Sequence, residues 1–278
     1  LWFLPQSAIN ELGEATKVNG DLGEAFASII AKYVGENAVH VPDIALCGRM
    51  TEFEAKGPFA DLKGRFSVEA ALSAAHAIST HAVVNEVDYF TAADDIPGSD
   101  AGAAHVNEAV FNSACFYKHF SIDWEQLLKN LGGDANLATL TVRCFLEAAA
   151  KANPSGKQHA YAAFNPPDGI LVEVKTQRAT PVSYANAFVD PVPEKSQQGL
   201  IGESVARLGQ YVHEIANGYG IEAERFWFSP SLRYQLTHRD GKRESPAIPE
   251  GGNIGDFGKF IESVMAAVRQ GQGAGAVS

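Results

Sequence analysis

The apolar positions of the first ninety residues follow two different periods. Ile9, Leu12, Leu22, Phe26, Ile29, Ile30 and Val34 fall at mostly helical spacings, interrupted by the glycines of "KVNGDLG", which predicts two helices within residues 7–34. In "AVHVPDIALCGRM", Val39, Val41, Ile44 and Leu46 make a β-branched, near-alternating run that stops at Gly48, which predicts a strand ending at a site. The bends "KGP" and "LKGR" mark residues 51–65 as a loop. From Ser67 to Ile78 the spacing of Val68, Ala71, Leu72, Ala75 and Ile78 fits a helix, while the residues that follow as far as Phe90 are β-branched and aromatic. Helix and strand both stay open over that stretch.

"TAADDIPGSDAGAAH" is loop-forming by its Gly, Pro, Ser and Asp content, and "VFNSACFYKHFSI" resumes strand character after it. Together they predict a β-hairpin with a long tip. "DWEQLLKNLGG" predicts a short helix closed by Gly132-Gly133, with Asp123 and Glu125 at its start, and "ANLATLTVRCFLEAAAKANP" a longer one stopped at Asn153-Pro154. Further on, "GILVEVK" reads as a buried strand, "ESVARLGQYVHEIANG" as a helix capped by Asn217-Gly218, and "ERFWFS" as a short strand. A last helix is expected over about Ile254–Arg269, followed by a disordered Gly-rich tail over 271–278. The G-x-G-x-G of that tail follows no strand and opens no helix, so a dinucleotide site is excluded.

Composition adds bounds. A chain of 278 residues, 46% hydrophobic, suffices for one elaborated domain, and no apolar run reaches the roughly 18 residues of a membrane span. Cys47, Cys115 and Cys144 form neither a C-x-x-C pair nor a disulfide framework, which suits a cytoplasmic protein. The only near-sequon, Asn153-Pro154-Ser155, carries proline in the forbidden slot. A formal charge of −11 argues against nucleic acid on the average surface, although a few Lys and Arg on one face can still bind a phosphate backbone. The apolar start at Leu1, without an initiator Met or a basic n-region, leads us to expect preceding polypeptide.

Candidate chemistry is sparse. G-x-S-x-G, a Walker loop and H-E-x-x-H are all absent. His76 and His81 are wrongly spaced for one helix face, but either could join Asp94 and Asp95 in a divalent-metal nuclease site; those aspartates equally suit a turn. In "YAAFNPPDGI" the Pro-Asp-Gly is a turn, and core packing is expected of Tyr161 and Phe164. The Tyr89-Phe90-Thr91 cluster beside the long loop leaves two uses open, core packing and stacking against nucleic-acid bases.

"DIALCGRM", "AAHAISTHAV", "VDYFTAADD", "AAHVNEAVFNSACFYKHFSID", "LLKNLGG", "KQHAYAAFNPPD" and "PVSYANAFVDPV", in this order from about Val41 to Val189, resemble the CasC family, the backbone subunit of the type I-E CRISPR surveillance complex Cascade. The resemblance implies an α+β fold: an RRM-like (ferredoxin-like) palm, a helical fingers insertion and a long β-hairpin thumb. It places the end of the fingers at 1–35, palm at 36–81, thumb at 82–113, and the rest of the palm with packed helices at 114–270. It implies a non-catalytic subunit without cofactor or metal that stacks head to tail with copies of itself on CRISPR RNA. Its other partners would be further Cascade subunits and the target DNA strand. The implied RNA-binding positions are Gly48, Arg49 and Met50 at the end of a palm strand, Tyr89, Phe90, Thr91, His105 and Val106 on the thumb, and Lys157 and Gln158 before "YAAFNP". The family's first palm strand and its Ser- and Lys-rich RNA-gripping segment have no counterpart here, so much of the phosphate-binding charge is expected to lie upstream.

Overall fold

A computed structural model describes residues 6–17, 22–34, 41–50, 67–92, 105–176, 180–193, 195–248 and 253–275. The chain divides into two compact units, one of Leu1–Ala75, Phe120–Pro167 and Ile261–Ser278, the other of His76–His119 and Asp168–Phe260. Both mix helices with small sheets.

The first unit opens with the two expected helices, α1 (Gln6–Ala15) and α2 (Leu22–Val34), which pack on each other through buried Ala8, Ala27 and Ile30. The predicted strand ending at Gly48 is instead a helix, α3 (Pro42–Cys47). Val41 is its extended N-cap, Pro42 supplies a preset φ at the first turn, and Asp43 lies at the positive end of the helix. Ile44, Ala45 and Leu46 are all buried, so the near-alternation of apolar residues was a helix embedded on more than one side.

The stretch left open between helix and strand forms two short strands, β1 (Leu72–Ala74) and β2 (Ile78–Ser79). In the first unit β1 pairs antiparallel with β6 (Phe120–Ile122). Helix α4 (Trp124–Asn130) starts where the Asp123 carboxylate accepts from the Gln126 N–H at 3.0 Å. Asp134 caps α5 (Ala135–Lys151) in the same way, accepting from Leu137 N–H at 2.9 Å. The Asn130 amide donates to Ala45 O at 2.9 Å and Glu69 O at 2.8 Å, joining α4 to α3 and to the approach to β1. Leu127, Leu131 and Ala138 are buried in α4 and α5 and the turn between them. A single-turn helix, α6 (Gln158–Tyr161), follows.

In the second unit the largest sheet has three strands, with β8 (Glu224–Phe228) in the centre, antiparallel to β7 (Ile170–Val174) and parallel to β11 (Asn253–Ile254). Trp227 of β8 is buried with Val205, Leu236, Ala247 and Ile248, and its indole N–H is satisfied by Tyr234 O at 2.8 Å. Helix α7 (Gly199–Tyr219) packs on the hairpin of β9 (Thr237–Asp240) and β10 (Arg243–Pro246). It runs past the expected Asn217-Gly218 stop and ends at Gly220, whose φ of 62° supplies the left-handed cap. The last helix, α8 (Phe257–Gly275), likewise continues into the stretch expected to be a disordered tail from 271. The loop expected at 51–65 and the hairpin tip at 93–104 lie outside the described residues. Among the described residues no helix is long and apolar enough to cross a membrane.

Gly209 sets how closely α7 approaches β9: a Cβ there would stand 2.2 Å from Thr237 O and 2.9 Å from its N. Gly218, on the same helix, has nothing within 4 Å. Helix propensity alone favours alanine at both by about 1 kcal/mol. We therefore expect Gly218→Ala to be neutral or stabilising in thermal denaturation, and Gly209→Ala to destabilise by ~1–3 kcal/mol through overpacking; equal effects would contradict this packing.

Candidate nucleic-acid interface

The predicted hairpin is present, built from β3 (Glu86–Ala92) and β4 (His105–Phe111). Its register pairs Tyr89 with Glu108, Phe90 with Asn107, Thr91 with Val106 and Ala92 with His105, so all five expected thumb residues share one stretch of ladder. Because directly opposed residues share a face and neighbours alternate, Val87, Tyr89, Glu108 and Val110 lie on one face, and Asp88, Phe90, Asn107 and Ala109 on the other. Tyr89 is 65% and Phe90 52% exposed, and Val87 and Val110 are exposed as well. Of the two uses open to Tyr89 and Phe90, core packing is therefore excluded in this chain.

The hairpin is held at its root. Beyond its open end, β2 pairs antiparallel with β5 (Phe116–Tyr117), Ile78 opposite Tyr117, and Thr80 N–H donates to Cys115 O at 2.9 Å. Thr80 is buried; its hydroxyl is 2.8 Å from that of Ser204 on α7, and its carbonyl accepts from Val192 N–H at 2.9 Å. On the partner strand the Tyr117 hydroxyl accepts from Tyr184 N–H at 2.9 Å, and its ring packs on Phe188 at 5.4 Å between centroids. The Tyr184 hydroxyl in turn donates to Glu173 at 2.8 Å, and Glu173 is bonded by Arg225, its cross-strand partner on β8, at 2.6 Å. Burial, then the Glu173 charge, pushes the Tyr184 phenol well above its ordinary range, and burial raises Tyr117. Both hydroxyls thus stay protonated.

The remaining expected positions lie in the first unit, in separate segments. Gly48, with φ 73°, caps α3, and a Cβ there would meet Val68 O at 2.8 Å and Ala70 N at 2.9 Å, so its role is a close backbone approach. Arg49 exchanges two 2.8 Å backbone hydrogen bonds with Val68; its side chain is half-buried, and that burial lowers its guanidinium below the ordinary range without neutralising it near pH 7. Met50 is 93% exposed. These three follow a helix, and Arg49 makes one isolated bridge, in place of the palm strand expected for them. Lys157 and Gln158 open α6, where Lys157 has a left-handed φ of 56° and the Gln158 amide N–H donates to Pro154 O at 2.7 Å.

A model of the CT1975-like protein family matches residues 1–249. The chain belongs to that family. No curated protein is matched. Among solved structures, this CT1975-like chain is 26% identical to a chain of a structure titled "CRISPR RNA-guided surveillance complex, pre-nicking". That likeness covers 96% of this chain and 68% of the other, with a TM-score of 0.70. It is 25% identical to a chain of a "CRISPR RNA-guided surveillance complex", over 94% of this chain and 84% of the other, with a TM-score of 0.59.

The metal-site alternative gains no support from the CT1975-like chain. His76 is exposed, whereas His81 is buried beside Thr80 in the hairpin root; Asp94 and Asp95 lie outside the described residues. Among the described residues no three His, Cys, Asp or Glu side chains are grouped to hold an ion. Sequence reasoning missed Tyr161 and Phe164 as surface groups: expected in the core, they are 41% and 63% exposed.

His213 and His119, both in the second unit, couple its stability to pH. The rings of His213 on α7 and His238 on β9 stack at 3.5 Å, only 6° from parallel, and Asn217 donates to His213 Nε2 at 2.9 Å. Burial, then the neighbouring His238, lowers the His213 pKa against the opposing pull of Glu214 and Asp240; burial, then Lys175, lowers that of His119. With folded pKa values below the unfolded one, stability is intact above about pH 6.5 and is lost as the pH falls from there toward the folded values. We expect the midpoint of thermal unfolding to be flat from pH 8 to 7 and to drop below about 6.5, with a shallower drop in His213→Gln. A midpoint that holds or rises as the pH falls to about 5.5 contradicts the assignment.

Proposed function

We propose that this chain is a non-catalytic CRISPR RNA-binding backbone subunit of a type I-E Cascade complex in the cytoplasm, stacking head to tail along the guide and presenting it for pairing with target DNA. The observation that carries the reading is the β3–β4 hairpin, a two-stranded ribbon with Tyr89 and Phe90 exposed on opposite faces. A monomer gains nothing by holding these groups in water. A single strand of RNA offers them π-faces, at roughly 1–3 kcal/mol for each stacked base. The likeness to chains of CRISPR RNA-guided surveillance complexes supports the same partner.

In this reading residues 82–113 are the thumb, and residues 36–81 together with 114–270 supply the RRM-like palm. Phe90, Thr91 and Val106, with Tyr89 and His105 beside them, press on displaced bases, and exposed Met50 is an apolar wedge whose flexible thioether adapts to any base. Gly48 holds the turn that presents Met50, while Arg49 and Lys157 supply local positive charge. Recognition is of backbone shape, because the guide sequence must vary freely.

The test is co-expression of the full-length protein with its neighbouring complex subunits and a CRISPR array. The wild-type protein should carry an RNA of defined length with several copies of the chain on each. Phe90→Ala with Met50→Ala should lower RNA retention by about tenfold or more in a salt wash while leaving the fold intact. An RNA-free monomer, above all one that degrades RNA or DNA with Mg²⁺, would overturn the reading.

A further inference from the structure

The charge of the second unit is divided between two of its hairpins. Residues 66–117 contain no Lys or Arg, and residues 82–113 carry six Asp and Glu, more than half of the formal charge of −11. Of these, Glu86 and Asp88 share one face of the ribbon at its root end, opposite Phe111 and Ala109. Both side chains are exposed, and neither makes an ion pair among the described residues. An RNA phosphate backbone is repelled from this face, which suits a cationic surface instead. The β9–β10 hairpin carries that opposite charge: residues 233–243 contain Arg233, Arg239, Lys242 and Arg243 against Asp240 alone. Gly241, with φ 61°, and Lys242 form its two-residue turn, so Lys242 stands at the apex with Arg243 next to it. Both are exposed and unpaired among the described residues. Glu244, by contrast, is already held by the Thr237 hydroxyl at 2.8 Å and faces Arg239 at 3.5 Å.

Both hairpins are mounted on α7. Thr80, at the root of the ribbon, bonds Ser204, whereas Gly209 takes the close approach of Thr237 on β9. Around a helix of 3.6 residues per turn, Ser204 and Gly209 face about 140° away from each other. The acidic and basic hairpins therefore attach to nearly opposite sides of one helix, a placement that suits contact between chains rather than within one. We propose that the β9–β10 hairpin is a docking surface for a second copy of this chain, in which Lys242 and Arg243 meet Glu86 and Asp88 of the neighbouring ribbon. Different patches on the two partners make the contact heterologous, so it repeats in one direction. RNA holds the copies side by side, and the contact is lost with it. The inference rests on the proposed role as a stacked guide-RNA carrier and assigns the charged surfaces that join its copies.

The test uses the assembled, RNA-loaded complex, with chains per RNA counted by native mass spectrometry as salt is raised. Lys242→Glu with Arg243→Glu should lower the fraction of full stacks by about tenfold or more, and so should Glu86→Lys with Asp88→Lys. Lys242→Gln with Arg243→Gln, which only removes charge, should give an intermediate loss. All four reversals together should restore stacking. An unchanged melting profile of each variant shows that these surface changes leave the fold alone. If both reversed pairs stack like wild type, the docking surface is refuted while the carrier role stands. A loss at Lys242 and Arg243 that the fourfold reversal does not repair assigns the hairpin to another acidic partner, RNA included, and refutes it equally. An RNA-free monomer overturns both readings.

Discussion

An antiparallel ribbon of two strands has too little buried surface to hold its own shape in water, so everything the β3–β4 hairpin can do depends on its root. There the ladder continues through β2 and β5 into buried hydrogen bonds: Thr80 to Ser204 and Val192 on one strand, Tyr117 to Tyr184 on the other. Each such bond is worth only about 1 kcal/mol net, but leaving one of these buried groups unpaired costs ~1–3 kcal/mol, which fixes where the strands enter the unit. Tyr184 passes the constraint on to Glu173, and Glu173 to Arg225 of the three-stranded sheet. A surface ribbon is thus tied to the interior by satisfied hydrogen bonds of neutral hydroxyls and backbone groups that end on the Glu173–Arg225 ion pair.

That rooting explains how the hairpin can leave Tyr89 and Phe90 in water without collapsing onto them. The stability comes from below, and the apolar side chains are left to whatever covers the ribbon. The same separation of support from surface recurs at Gly48–Met50: the glycine's close approach to Val68 and Ala70 and the Arg49–Val68 bridge fix a backbone from which Met50 projects almost wholly exposed. Net acidity does not conflict with a nucleic-acid partner here, since base contacts are apolar and cations need only be local, as Arg49 and Lys157 are.

Much of this was legible in the sequence where one local signal dominated. The hairpin followed from β-rich runs on either side of a Gly- and Asp-rich loop, α4 from Asp123 at its start and its glycine stop, and α5 from its proline stop. Residues 41–48 were misread because β-branched residues at near-alternate positions outweighed Pro42-Asp43 and Gly48, the N1, first-turn and C-cap signals of a short helix buried on several sides. Helix α7 overran Asn217-Gly218 because Gly220 offered a left-handed cap two residues past Gly218. The exposure of Tyr161 and Phe164 could not be read from spacing, because an aromatic next to a turn is usually core.

The most direct test of the central claim, that RNA covers this rooted hairpin, is amide hydrogen exchange across β3 and β4 in the assembled complex, before and after ribonuclease digestion. The account predicts strong protection of residues 86–92 and 105–111 in the loaded complex, lost on digestion, while the root at Thr80 and Tyr117 stays protected throughout. Hairpin protection that is the same with and without RNA would contradict it.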